Sequence, residues 1–254
     1  MNLDGLELSI LGPAMLAGIL VLATHVPLGR EVLARGIIFI DLAVAQISSL
    51  GVIAADRMDL HLGGFGVELA AGTAAVSGAL ILTWTERHFA EIQEALIGIL
   101  FVLAATGSIL LLAENPHGGD YLKDLLVGQI LWTTWQMLIP IAVLYAVLLL
   151  VWFTSREKIG HAGFYITFAF AVTAAVQIVG VYLVFASLIL PALATRRMHG
   201  VPRLWAGYTV GTLSYLAGIV ISALLDLPTG AVTVWTMAVF ALIAGLAIGA
   251  SSRS

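Results

Sequence analysis

The sequence predicts an all-α, polytopic transmembrane helical bundle of eight or nine membrane segments, and two observations predict it. Of 254 residues, 61% are hydrophobic and only 10% charged, where a soluble domain carries roughly 25% charged residues. The apolar residues also fall in continuous runs of about 18 or more, without the two-residue alternation of barrel strands. Backbone groups in lipid must be bonded within their own segment or around a closed barrel, so continuous runs select helices.

The runs lie at residues 8–28, 36–55, 64–84, 95–113, 127–153, 163–195, 204–225 and 229–250. The start, MNLDGLELSI, is acidic rather than basic, so the first run reads as a retained span and not a cleaved signal peptide. The second carries Asp41 and Gln46 near its middle. The fourth follows Glu91 and Glu94, acids that suit the positive end of a helix dipole. In the fifth, the stretch DYLKDLLVGQILWTTWQ places tryptophans and charges as in an interfacial belt. The sixth is too long for one straight crossing and contains Gly180 and Pro191, which predicts a span followed by a short or broken helix. A ninth crossing results if the chain doubles back there.

Basic residues cluster at Arg30 and Arg35, at Arg156 and Lys158, and at Arg196, Arg197 and Arg203, which predicts that these three loops share the cytoplasmic side. The N-terminus and the acid-richer loops 56–63 and 114–124 are then outside. That orientation needs seven crossings before residue 196, which favours doubling back within 163–195. No polar linker divides the chain, so residues 1–254 read as a single transmembrane domain. There is no GxxxxGK[ST] phosphate loop, so an ATPase of the usual kind is excluded and no catalytic residue is assigned. The absence of cysteine excludes thiolate metal sites. No basic stripe suggests nucleic acid. A short likeness between AVAQISSLGV (43–52) and AAVQIVGVYL (174–183) is of the kind that marks internal repeats.

A buried carboxylate in hydrocarbon costs about 2.5 to 3.5 kcal/mol on insertion scales. Asp41 is therefore expected either to line a wet pathway or to serve as a neutral structural group. At 100° per residue Asp41 shares a face with Ala45 and Ser48, while Gln46 points about 140° away; the two converge on one ion only if the helix carries a π-bulge. His25, just before Pro27 at the end of the first span, and Glu94 are further pathway candidates. Gln46 and Gln177 also suit hydrogen-bonded glue between helices.

Taken in order, RGIIFIDLAVAQISSLGV, EALIGILFVLAATGSILLL, DLLVGQILWTTW and VQIVGVYLVFASLILPALATRRM resemble the permease subunits of metal-type ABC importers, the family that moves zinc, manganese or iron. The resemblance spans most of residues 10–225. It implies a multi-pass subunit of the bacterial inner membrane that pairs with a second copy of itself, binds cytoplasmic ATPase subunits and is fed by an extracytoplasmic metal-binding protein. It implies no permanently bound cofactor and a divalent metal as transported substrate; from the residues themselves Asp41 and Gln46 are the metal-contacting candidates, and either Arg156, Lys158, Arg196 and Arg197 make the ATPase contact or the partner differs. The family runs Gly-Asp and then a histidine four residues after the aspartate. Aligned on Gly51, this chain has Gln46 at the histidine position and its carboxylate displaced by one, which leaves oxygen ligands suited to a harder ion or a weak transit site. The family's longer acidic and aromatic cytoplasmic segment is abbreviated here to FTSREKIGHAG. Two alternatives stand beside this reading: a proton-coupled secondary transporter with Asp41 as proton carrier, and a structural membrane subunit.

Overall fold

The computed structural model describes residues 8–58 and 66–251. Among these residues the chain forms nine α-helices and no strand: α1 (Leu8–Arg35), α2 (Ile40–Arg57), α3 (Gly66–His88), α4 (Gln93–Leu112), α5 (Gly118–Val127), α6 (Trp135–Val179), α7 (Val181–Ala194), α8 (Gly200–Leu225) and α9 (Thr229–Ser251). Six segments are long and apolar enough to cross a membrane, among them both arms of α6, Trp135–Thr154 and Gly160–Val179. With α2, α3 and the shorter α7, nine segments run through the bundle. The long apolar stretch does break, at Gly180, into a span and a short helix.

Side-chain pairs sort the helix ends into two groups. Arg35 reaches Glu86, which also pairs with His161, and the Phe39 amide donates to Glu94. The end of α1, the start of α2, the end of α3, the start of α4 and the α6 kink therefore meet. Arg203 lies close enough to Arg30 for their charges to repel, which brings the start of α8 to the same place. This basic end thus gathers Arg30, Arg35 and Arg203 beside the α6 corner. The opposite end holds the Arg57–Glu114 pair and the α4–α5 turn.

Three features differ from the sequence reading. The helix does not stop near His25 but continues through Pro27 to Arg35, because neighbours bury the extra turns: Val26, Leu28 and Val32 are all in the core. The outer loop 114–124 folds most of its length into α5. The expected loop around residue 156 is a helical corner, with only Gly160 leaving helical geometry at φ 61°, ψ −165°.

The second arm of α6 is the axis of the bundle, about two-thirds buried. Its Phe164, Tyr165 and Phe168 pack with α1, α2 and α7 residues in the main core cluster. In lipid such packing rests on close approach rather than on hydrophobic exclusion, and the chain supplies small residues where backbones cross. A Cβ on Gly29 would overlap the Leu188 carbonyl, and one on Gly51 would overlap Ala74. A further close crossing joins Gly128 and Gly180. These glycines have nearly the same backbone, φ 73°, ψ 165° and φ 77°, ψ 164°, a region open essentially to glycine alone. Each ends a helix, and a Cβ on either would overlap the other's backbone. Gly51, by contrast, sits within the continuous α2, so the likeness between 43–52 and 174–183 does not extend to structure.

Candidate functional site

The α2 helix presents two different faces. Leu42, Gln46 and Ser49, at spacings of four and three, lie on one side and line a half-open cavity of about 710 Å3 together with Phe101 of α4, Phe185 of α7 and Trp235 of α9. The wall is mostly apolar, so the Gln46 amide and the Ser49 hydroxyl are its notable polar groups on α2. Aromatic side chains at its edge remain uncovered: Tyr182 is 50% and Trp235 75% exposed. On the opposite side of α2, Ser48 donates to the Ala71 carbonyl of α3 at 3.3 Å.

Asp41 belongs to that second side and does not line the groove. Because α2 contains no π-bulge, Asp41 and Gln46 stay on different sides of the helix, as the 100° step per residue implies. Asp41 is 1% exposed, and its carboxylate is met by the backbone amides of its own first turn, those of Asp41 and Leu42, rather than by a side chain. Its neighbour in charge is Glu94, close enough to repel it. Both acids stand in the first turn of their helices, α2 and α4, where the helix dipole favours negative charge. Glu94 Oε1 accepts the Phe39 amide at 3.3 Å, while Oε2 is buried without a partner. Phe39 in turn stacks on Phe185 with ring centroids 6.2 Å apart and planes 7° from parallel. The α1–α2 turn is thus tied both to Glu94 and to a wall residue of the groove.

His25 stands apart from these groups. It is fully buried on α1, its Nδ1 within 2.9 Å of the Val21 carbonyl and 3.0 Å of Thr24 Oγ1, and it does not line the groove. Gln177 is exposed on α6 and lines a second cavity, of about 730 Å3, with Asp124, Gln129 and Thr133. This cavity lies on the other side of α5 from the groove. Among the described residues, no cluster of three or more His, Asp or Glu side chains is placed to hold a metal. Arg196 and Arg197 are exposed at the basic end; the side chains of Arg156 and Lys158 lie outside the described residues.

Sequence reasoning missed Phe39, Phe185 and the glycine crossing. The helical period of α2 carries the signal for Leu42 and Ser49 beside Gln46. Nothing local connects Phe39 with Phe185, or Gly128 with Gly180.

Comparison with known proteins adds two kinds of likeness. The chain matches the solved structure of PsaBC from Streptococcus pneumoniae in complex with Fab, with a TM-score of 0.76 and 22% identity over 95% of this chain and 93% of the other. It also matches an inward-facing conformation of a metal-chelate type ABC transporter, with a TM-score of 0.65 and 18% identity over 98% and 89%. At these identities the likeness establishes the shared helical fold. The family model of the ABC 3 transport family covers residues 7–162 and 156–248. The multi-pass chain, an integral protein of the inner membrane in a bacterium, therefore belongs to the ABC 3 transport family of permeases.

Proposed function

We propose that this chain is the membrane-spanning permease subunit of an ABC importer that moves a divalent metal ion, zinc or manganese, into the cytoplasm with ATP hydrolysed by a partner chain. The observation that carries the reading is the half-open groove beside Gln46. A single copy leaves its apolar flank and Trp235 uncovered, and a second copy related by a two-fold axis closes the same surface on itself. The pathway then runs between two copies, with the Gln46 and Ser49 oxygens facing it.

The basic end suits the cytoplasmic side, since Arg30, Arg35 and Arg203 converge there. Arg196 and Arg197, with Arg156 and Lys158, are the groups that would meet the ATPase, and the opposite end would receive an extracytoplasmic metal-binding protein. Oxygen ligands without thiolate or a histidine cluster hold a passing ion weakly, as transit requires. The metal assignment draws support from the segments that resemble metal-type importers and from the likeness to a metal-chelate type transporter. Membership of an ABC family favours ATP over a proton gradient as the driving force.

The test is uptake into proteoliposomes holding the permease, its genomically neighbouring ATPase and, outside, the cognate binding protein. Zn2+ or Mn2+ accumulation that requires ATP is the expected result, and Gln46→Leu should lower it without loss of assembled protein. Uptake that follows a proton gradient and ignores ATP would overturn the proposal.

A further inference from the structure

The second cavity, of about 730 Å3, lies between the two arms of α6, with Gly72 of α3 and the end of α5 closing its sides. Its walls are graded from polar to apolar. Along the second arm Gln177, Thr173 and Phe170 line it at spacings of four and three, so they share one helix face. At 1.5 Å per residue the series runs about 10 Å inward from the end opposite the basic one, from an amide through a hydroxyl to a ring. The approach to the first arm repeats the order, with Thr133 ahead of Met137, Ile141 and Leu144. Asp124 and Gln129 complete the polar end, and no lysine or arginine is among the lining residues. Beside the mouth Met137, Ile139 and Val143 are exposed, an apolar surface of the kind a membrane covers. Thr173 is only 7% exposed, yet its hydroxyl has no partner. Thr83, Thr106 and Thr209, by contrast, return theirs to the carbonyl four residues back. A buried hydroxyl without that local bond leaves a donor for a ligand acceptor.

We infer that this cavity seats one phospholipid whose headgroup carries a primary ammonium, as phosphatidylethanolamine does, in the leaflet away from the basic end. The ammonium meets the Asp124 carboxylate in a charge-assisted hydrogen bond, whereas an anionic headgroup finds no basic side chain among the lining residues. Lys123, next to Asp124 in sequence, does not line the cavity. The amides of Gln129 and Gln177 and the Trp132 indole N–H supply donors for the phosphate. Thr173, about 6 Å deeper than Gln177, donates to an ester carbonyl, and the acyl chain continues past Phe170 between the arms. The graded wall fits within one leaflet, whose hydrocarbon is about 15 Å thick. Leu125 of α5 lines both this cavity and the groove, so the lipid braces a wall of the groove from behind.

The test is native mass spectrometry of the full chain, stripped of lipid in detergent and titrated with palmitoyl-oleoyl phosphatidylethanolamine or the matched phosphatidylglycerol. One phosphatidylethanolamine per chain is expected, held about 10-fold more tightly than phosphatidylglycerol, the order that a hydrogen bond to a charged group is worth. Asp124→Asn should erase that preference, and Thr173→Val should weaken both lipids alike by about 5-fold. Gly72→Leu should displace both, because a Cβ at Gly72 meets only the Phe170 ring at 3.9 Å and a longer side chain enters the cavity. Melting temperatures show whether Gly72→Leu folds; if it does not, Ala174→Leu fills the same space from the second arm. Asp124 is exposed, so its variant tests the headgroup whether or not the cavity tolerates filling. Equal retention of the two lipids by the wild-type chain, or a folded Gly72→Leu variant that holds phosphatidylethanolamine as wild type does, would overturn the inference. So would loss of a chain dimer in Gly72→Leu, which would assign the cavity to a second copy.

Discussion

Gly180→Ala tests the packing that separates the groove from the second cavity. At φ 77°, ψ 164°, a non-glycine residue is strained by about 1 to 3 kcal/mol. The added Cβ also overlaps the Gly128 backbone, and relieving such overpacking costs about 1 to 3 kcal/mol more. The sum, about 2 to 6 kcal/mol, corresponds to a melting point lowered by about 8 to 16 °C at its centre, taking about 2 to 4 °C per kcal/mol for a chain of this size. Two controls divide the effect. Gly36 has φ 72° but open space around its Cβ position, so Gly36→Ala should show backbone strain alone, about 1 to 2 kcal/mol. Gly98 has neither a positive φ nor a neighbour within 4 Å, and alanine there should be neutral or stabilising by up to about 1 kcal/mol. The six tryptophans allow melts of the detergent-solubilised chain to be followed by fluorescence. If Gly180→Ala melted together with Gly36→Ala, the tight backbone crossing would be refuted.

Other expectations follow from single contacts. Arg35 sits 4.1 Å from the Phe164 ring centre and pairs with Glu31 at 3.0 Å, so Arg35→Lys, which keeps the charge but loses the planar stack, should destabilise by about 1 kcal/mol; an unchanged melt would count against the stack. Tyr215→Phe removes the 2.9 Å bond to Ser187, both residues being fully buried, and should cost about 1 to 3 kcal/mol in the same assay because it leaves a buried hydroxyl unpaired. In this cysteine-free chain, Asn115→Cys should react with an impermeant thiol reagent in intact cells and His199→Cys only after permeabilisation; the reverse pattern would invert the orientation. Charge reversal at both Arg196 and Arg197 should reduce recovery of the ATPase on copurification, and full recovery would move the docking surface elsewhere.

The sequence by itself determined the class of this protein. Few charges and long unbroken apolar runs leave only membrane helices, because backbone satisfaction in lipid is settled within each segment. It also determined the break at Gly180, since a 33-residue apolar run exceeds the bilayer and contains a residue free to turn. The shared location of Arg35, Arg196 and Arg203 followed from the positive charge of their loops. The divergence of Asp41 from Gln46 was equally legible, being an angle on one helix. What only the tertiary structure decided are relations between helices. Gln46 and Gln177 are both lone amides in apolar spans, yet one faces the groove and the other a separate cavity, because that depends on which neighbour covers each face. His25 reads as a pathway candidate from its position near Pro27, but burial of the following turns extends the helix and encloses the ring within it. Asp41 and Glu94 are each explicable alone as first-turn acids. Their pairing, and its link through Phe39 to Phe185, exists only once α2, α4 and α7 have packed, since charges and rings far apart in sequence interact through distances that no local pattern encodes.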